Sequence, residues 1–486
     1  MSLNPPSSAS SSANAEHAGA ARRRLRLHHA LREPDGTCAI IYDLERTFVI
    51  DVPRKFRREI CDALEGAQQS QKLAQWLSDE DLLTPDPWHP RHDPQQSKLP
   101  AVTDVSLDLS GSCNMACVYC FEDAIQSRIG KMPDQTLQAS LDFAFKQAEA
   151  SRRLALHFGS GEPLLRFEQL ERLMEAANER GKLHGIEVSY DLTTNATLVS
   201  PEIASFLAKQ PVDIRVSCDG PPDLHNSYRP MSNGGPSHDL VMRGLRLLLD
   251  HLGDRVTVNS VMCGRTRLVD LWHWAKSEGI RHFHVIKVGT SDRSDMQLQA
   301  SELAEFREDL ATVSDDLFRE LKAGRTPIDF QPLTKVVRRL MIPQPVTRFC
   351  GVAGSYLGVA ANGDVYPCFR HLGLSDYRLG NVLGKIDDQK RRKFLTQEAA
   401  GVDSRPVCES CWARYLCGGG CYADSVVYGP DRRAPKIEHC PFWRLEISAA
   451  IRLFVRLREA DPRYCLRLFG PADPDDFTFL VRSNCS

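Results

Sequence analysis

Residues 107–122 read LDLSGSCNMACVYCFE, and this stretch decides the fold. It continues an alternating apolar run, Val105-Leu107-Leu109, whose period of two marks a strand. Just past that strand, Cys113, Cys117 and Cys120 stand at the spacing C-x3-C-x2-C. Three thiolates on one loop can converge on a single metal centre. A [4Fe–4S] cluster carries four irons, so three cysteines leave one iron for a group that is not protein. A zinc knot and a run of buried structural thiols compete with it. Zinc prefers four ligands in two C-x2-C-like pairs, and this loop supplies three.

The chain has 486 residues, room for about two to four domains and a large core. Apolar residues make up 42% and charged residues 26%, an ordinary globular balance. With 61 basic and 63 acidic residues the formal charge is −2, which gives no support for nucleic acid as a partner. No stretch approaches the ~20 apolar residues of a membrane span. Residues 1–21 are rich in Ser and Ala and read as a disordered tail. Arg22-Arg23-Arg24 leads into no apolar signal core, so a cytoplasmic protein is expected. In a reducing compartment, clustering among 16 cysteines means metal more often than disulfides.

Outward from the opening stretch, strands and amphipathic helices alternate. Strands are expected at 103–109, 154–158, 186–192, 212–217, 255–262 and 281–287, with helices such as 134–150, 167–180 and 239–251 between them. Six such repeats predict a parallel sheet with right-handed crossovers, curled into a partial barrel. Chemistry in such sheets collects at the C-terminal strand ends, where the three cysteines lie. Strand two ends in Gly159-Ser160-Gly161-Glu162-Pro163: small residues admit a ligand close to backbone, and a carboxylate follows that can accept from an ammonium group. Strand three ends in Thr193-Thr194-Asn195-Ala196-Thr197, and strand four in Ser217-Cys218-Asp219-Gly220, with His225 and Arg229 beyond.

A second constellation lies between residues 350 and 440. Cys350 is followed by Gly363 and Cys368, then Cys408-x2-Cys411-x5-Cys417-x3-Cys421, then Cys440. Zinc satisfies such a thiolate count nearly as well as iron–sulfur does. The remaining cysteines, Cys38, Cys61, Cys218, Cys263, Cys465 and Cys485, read by default as small buried apolar residues, with Cys218 and Cys263 expected at strand ends facing the site.

Taken together, the triplet with Tyr119 before its last cysteine, the strand-end motifs and the second cysteine set resemble radical S-adenosylmethionine enzymes that carry a SPASM extension. By that resemblance, Cys113, Cys117 and Cys120 hold a [4Fe–4S] cluster whose fourth iron takes the cofactor's amino and carboxylate groups. Gly159, Ser160, Gly161 and Glu162 match G-G-E-P, which holds the methionyl amino group; Ser160 replaces a Gly. Asn195 falls in a T-N-G-T-like turn, with Ala196 for Gly. Ser217 and Asp219 match S-x-D-G near the ribose, and Arg229 ends an H-x3-R that can meet the carboxylate. The resemblance implies two auxiliary [4Fe–4S] clusters, one on Cys408, Cys411, Cys417 and Cys440 and one on Cys350, Cys368 and Cys421. The latter counts three cysteines: another residue ligates, or one iron is open to substrate.

The expected fold is thus α/β: a small N-terminal α+β, winged-helix-like domain at 22–85, a linker at 86–101, and a partial (β/α)6 barrel at 102–300. A helical bridge at 301–345, a SPASM domain at 346–445 and a C-terminal helix and tail at 446–486 follow. The N-terminal element order resembles precursor-peptide recognition domains, which implies a leader adding a strand to a sheet edge; a small packing domain is the alternative. The resemblance implies that a 5′-deoxyadenosyl radical takes a hydrogen atom from a peptide, which is oxidatively cross-linked through a thioether, C–C or C–O bond. It also implies an external electron donor such as flavodoxin or ferredoxin. Family members that oxidise a sulfatase residue carry an acid after the G-x4-C cysteine; here Phe369-Arg370-His371 follow Cys368. His371, Asp364 and Asp376 are the candidate bases, none assigned. A SPASM dehydrogenase of a small molecule, a sulfatase-maturase-like enzyme, and a non-catalytic electron carrier or zinc scaffold are the alternatives.

Overall fold

Alternation along the strands buries one side under helices and turns the other into a lumen. In a computed structural model, residues 24–25, 28–32, 38–43, 48–64, 69–80, 82–84, 99–122, 130–264, 266–289, 294–342, 345–429 and 431–468 are described. The expected tail 1–21, most of the linker and Cys485 lie outside them. The chain divides into two compact units, Met1–His89 and Pro90–Ser486.

In the first unit, β1 (Arg24–Leu25) pairs with β5 (Leu83–Thr84), and β2 (His28–Arg32), β3 (Cys38–Asp43) and β4 (Phe48–Asp51) form an antiparallel meander. Helices Arg57–Leu64 and Gln71–Asp79 contribute Ile60, Leu73 and Leu77 to a core shared with Ile41, Val52 and Phe56. Ser70 caps the second helix, accepting from Leu73 N at 3.2 Å. Cys38 and Cys61 are buried as expected, but they form a disulfide that ties β3 to the first helix. Their separation of 23 residues hid the pairing from any local pattern.

The second unit is built on one ten-stranded sheet. β6 (Asp104–Leu107), β7 (Arg153–Phe158), β8 (Glu187–Thr194), β9 (Val212–Ser217), β10 (Val256–Met262) and β11 (His282–Lys287) are the six expected strands, parallel and in sequential order. β12 (Asp329–Phe330), inside the segment expected to be purely helical, adds a short parallel strand beyond β11. At the other edge, β13 (Tyr356–Val359) pairs parallel with β6, then β14 (Asp364–Tyr366) and β15 (Gly380–Asn381) follow antiparallel. The cysteine-rich segment therefore continues the barrel sheet.

On β10 the buried residues are Val256, Val258, Ser260 and Met262, while Thr257, Asn259 and Val261 face inward. The same period of two points Ser106, His157, Asp191, Arg215, Asn259 and His284 into one lumen. Helix Cys440–Ala460 buries Ile447, Ile451, Phe454 and Leu457, each contributing about 1.5–3 kcal/mol by removal from water. Its Phe442 meets Phe306 of helix Leu303–Lys322 edge-on at 5.2 Å.

Candidate active site

Past β6 the chain turns at Gly111 (φ +53°), where a Cβ would lie 2.1 Å from Gly130 O. Asp108 Oδ1 holds that turn by accepting from Gly111 N at 3.0 Å. The cysteine loop then leans on the end of β7. At Gly161 (φ +60°) a Cβ would sit 2.2 Å from Ser112 O, so only glycine lets the two loops touch. Glu162 N donates to Ser112 O at 2.9 Å across the same contact. From β8, Asn195 Nδ2 donates to Asn114 Oδ1 at 2.8 Å and lies 3.8 Å from Cys113 Sγ. Ala196 takes φ +58°, the left-handed conformation the related turn reserves for glycine.

Cys113, Cys117 and Cys120 all line one cavity of about 680 Å³. So do Tyr119, Gly159, Gly161, Glu162, Asn195, Ser217 and Arg229. Ser160 and Asp219 stand just behind the wall, 4% and 0% exposed. Asp219 is held by three hydrogen bonds: Oδ2 accepts from Arg229 Nε at 2.9 Å and from the Tyr119 hydroxyl, and Oδ1 from Val261 N at 2.8 Å. Arg229 Nη1 lies 3.9 Å from Cys117 Sγ, and its guanidinium is 5.3 Å from the Tyr119 ring. A further link fixes this pair. His225 Nδ1 accepts from Asp219 N at 3.1 Å, and Nε2 lies 3.0 Å from Ser237 Oγ, whose hydroxyl donates to Arg229 O. Burial pushes His225 down to about 4, keeping it neutral in this role.

Glu162 is also occupied. Oε1 accepts from Leu164 N at 3.0 Å and Thr194 Oγ1 at 2.8 Å, and Oε2 from Asn195 N at 2.7 Å. Burial raises its pKa. Glu122, two residues after Cys120, was not singled out from the sequence. Its two oxygens accept from Gly161 N at 3.0 and 2.8 Å, and it lines the cavity.

The other seven cysteines, Cys350, Cys368, Cys408, Cys411, Cys417, Cys421 and Cys440, open on the same cavity. Burial raises the pKa values of Cys350, Cys368, Cys408, Cys417, Cys421 and Cys440. The neighbours sort them into Cys368 with Cys350 and Cys421, and Cys408 with Cys411, Cys417 and Cys440. Cys408 is pushed up to about 12 and Cys350 to about 11, so metal would have to displace protons on binding. Tetrahedral zinc needs its donors about 2.0–2.3 Å from one point. Among the described residues no three His, Cys, Asp or Glu side chains converge on a single ion.

Cys218 and Cys263, expected to face the site, are 0% exposed and line no part of the cavity. Cys218 Sγ packs 3.4 Å from His225 Nδ1 behind the wall. None of the candidate bases lines it either. His371 is buried between Tyr377 and Phe394, Asp364 sits in the β13–β14 hairpin, and Asp376 faces outward beside Arg432.

Residues 108–270 match the Radical SAM superfamily model. An uncharacterized protein MJ0907 of Methanocaldococcus jannaschii is 25% identical over 303 residues, covering 62% of this chain and 94% of that protein. A cysteine-type anaerobic sulfatase-maturating enzyme of Clostridium perfringens is 23% identical over 343 residues, 66% of this chain and 89% of the enzyme. The serine-type enzyme of Klebsiella aerogenes is 24% identical over 339 residues, 66% and 80%. The structure of native anSMEcpe with bound AdoMet superposes with TM-score 0.62 at 20% identity, covering 74% of this chain and 99% of that one. The chain thus carries a radical SAM domain over residues 108–270, and it is similar in sequence and in fold to the anaerobic sulfatase-maturating enzymes. A radical SAM domain implies S-adenosylmethionine and a [4Fe–4S] cluster, and Cys113, Cys117 and Cys120 fit it: three thiols on one loop with the cavity beside them. Among the described residues no helix is long and apolar enough to cross a membrane.

Proposed function

We propose that this chain is a peptide maturase that oxidatively cross-links its substrate, joining a thioether, C–C or C–O bond. The observation that carries this is the single cavity onto which all ten cysteines of the three groups open. A substrate residue seated there would share one cavity with the site that starts the chemistry and with groups able to take up an electron. Cys113, Cys117 and Cys120 would hold the cluster, which together with S-adenosylmethionine would supply a 5′-deoxyadenosyl radical able to take a hydrogen atom from the substrate. Two auxiliary clusters, on Cys350/Cys368/Cys421 and on Cys408/Cys411/Cys417/Cys440, would accept the electron left over.

The chain's own residues position and enclose. Tyr119, Asp219 and Arg229 form a buried, hydrogen-bonded wall beside Cys117 that keeps one geometry. The turn Gly159–Glu162 and Asn195 let a cofactor reach backbone. Phe349, Tyr356, Phe369, Trp443 and Val288 give the cavity an apolar side that excludes water and suits a peptide. A relative's structure, native anSMEcpe, is described with AdoMet and Cp18Cys peptide, which supports a peptide substrate here. Against sulfatase maturation stands Phe369 in the place of the acid; the next side chain, Arg370, is held by Asp424 at 2.8 Å. The antiparallel meander of the first unit offers β2 and β4 as edges for a leader strand. An external flavodoxin or ferredoxin would deliver the starting electron.

Anaerobic enzyme with S-adenosylmethionine and dithionite should form 5′-deoxyadenosine. A co-expressed substrate peptide should lose two hydrogens and resist fragmentation between the joined residues by mass spectrometry. Conversion of a sulfatase Cys or Ser peptide to an aldehyde, with no cross-linked product, would overturn the proposal.

A further inference from the structure

Cys350, Cys368 and Cys421 come from three separate segments and number one thiol fewer than the group beside them. A carboxylate stands next to this gap. Asp424 lies three residues after Cys421 in the first turn of helix Tyr422–Tyr428, so the two side chains leave the same face. It is 6% exposed and lines the cavity. One guanidinium spans both: Arg370 Nη1 donates to Cys421 Sγ at 3.1 Å, and Nη2 lies 2.8 Å from Asp424 Oδ1. Beyond that ion pair no hydrogen bond reaches the buried Oδ1, so acceptor capacity on this carboxylate is left over. Gly289 keeps the space open, since a Cβ there would fall 2.6 Å from Oδ1. His371 also approaches the group, its Nδ1 3.0 Å from Cys368 Sγ, but it is fully buried away from the cavity.

We propose that Asp424 is the fourth protein ligand of the Cys350/Cys368/Cys421 centre, with Arg370 as the positioning residue that holds carboxylate and sulfur at one spacing. This rests on the proposal above that these thiols carry an iron–sulfur cluster. A hard oxygen donor among thiolates makes that corner the exchangeable one, open to displacement by a softer thiolate.

The test uses the full-length chain, reconstituted anaerobically, as wild type, Asp424→Asn, Asp424→Cys and Arg370→Gln. The readouts are iron per chain and electron paramagnetic resonance, before and after addition of 2-mercaptoethanol as a probe thiol. Asp424→Asn should hold one iron fewer per chain and show the three-iron signal as prepared. Asp424→Cys should keep the full iron complement and stop responding to the probe, whereas the wild-type spectrum shifts with it. Arg370→Gln should retain iron but give a heterogeneous signal. Equal iron and equal probe response in wild type, Asp424→Asn and Asp424→Cys would overturn the assignment. Should Asp424→Asn lose the first cluster's signal as well, the Asp424→Cys comparison alone decides it. A wild-type chain with iron for the Cys113 loop only would overturn the auxiliary-cluster proposal itself, and is recognised before any substitution is compared.

Discussion

Two three-cysteine groups share this cavity, and each has an arginine beside one sulfur and a carboxylate beside the arginine. At the barrel mouth the set is Cys117, Arg229 and Asp219, with Arg229 Nη1 3.9 Å from the sulfur. In the C-terminal segment it is Cys421, Arg370 and Asp424, with the contact at 3.1 Å. The carboxylates differ. Asp219 accepts from Arg229, Tyr119 and the Val261 backbone, so three of its roughly four lone-pair sites are taken. Asp424 meets Arg370 alone among well-defined contacts and faces the cavity. On the proposal above, the more fully occupied acid would leave the neighbouring corner to a small molecule, and the less occupied one would fill its corner itself.

Removing a thiol from the mouth is the harshest way to test this contrast. Cys117→Ala should reduce 5′-deoxyadenosine formation to background, whereas Cys421→Ala should spare it and abolish only product formation; chromatography of both species checks this. Next comes charge. Asp219→Asn strands Arg229 in a buried site and should cost about 3–5 kcal/mol, read by denaturant unfolding of the apoprotein. Asp424→Asn should cost less, because Arg370 keeps a sulfur acceptor and a half-open cavity; equal losses would erase the distinction.

A weaker effect tests the lumen both groups share. Burial alone would lower the pKa of His157, but hydrogen bonds to Asp104 and Asp191 overcome it and carry the imidazole up to about 9. A folded pKa above the unfolded ~6.5 stabilises fully below that pH and is lost as pH rises through 9. The loss should be about 3 kcal/mol at most. Melting curves between pH 6.5 and 9 should show this slope in wild type and not in His157→Gln. The smallest effect is expected at the β8 turn, where Ala196→Gly should relieve a left-handed alanine and raise stability by up to about 1 kcal/mol, seen as a higher Tm.

Local patterns carried much of this architecture. Alternation in 154–158 and 212–217 revealed strands because each has one face under helices and one in the lumen. The cysteine spacings were legible because the thiols of each loop are close in sequence. What escaped depends on contacts between distant segments. Glu122 turns back to Gly161 across 39 residues, and Arg370 reaches Cys421 across 51. Nothing in the run 353–370 announces that β13 joins β6. Cys218 and Cys263 were misplaced for a simpler reason: at a strand end, one residue of register decides between lumen and core, and both fall on the core side.

The pairing of β13 on β6 has a consequence for synthesis. Val105–Leu107 takes Leu357–Val359 as its neighbour, so the earliest barrel strand waits for some 250 later residues before that edge is closed. A ribosome stalled ahead of Tyr356 would expose an unpaired, apolar ribbon primed to recruit other chains. Truncated products should therefore aggregate instead of persisting in a half-built state.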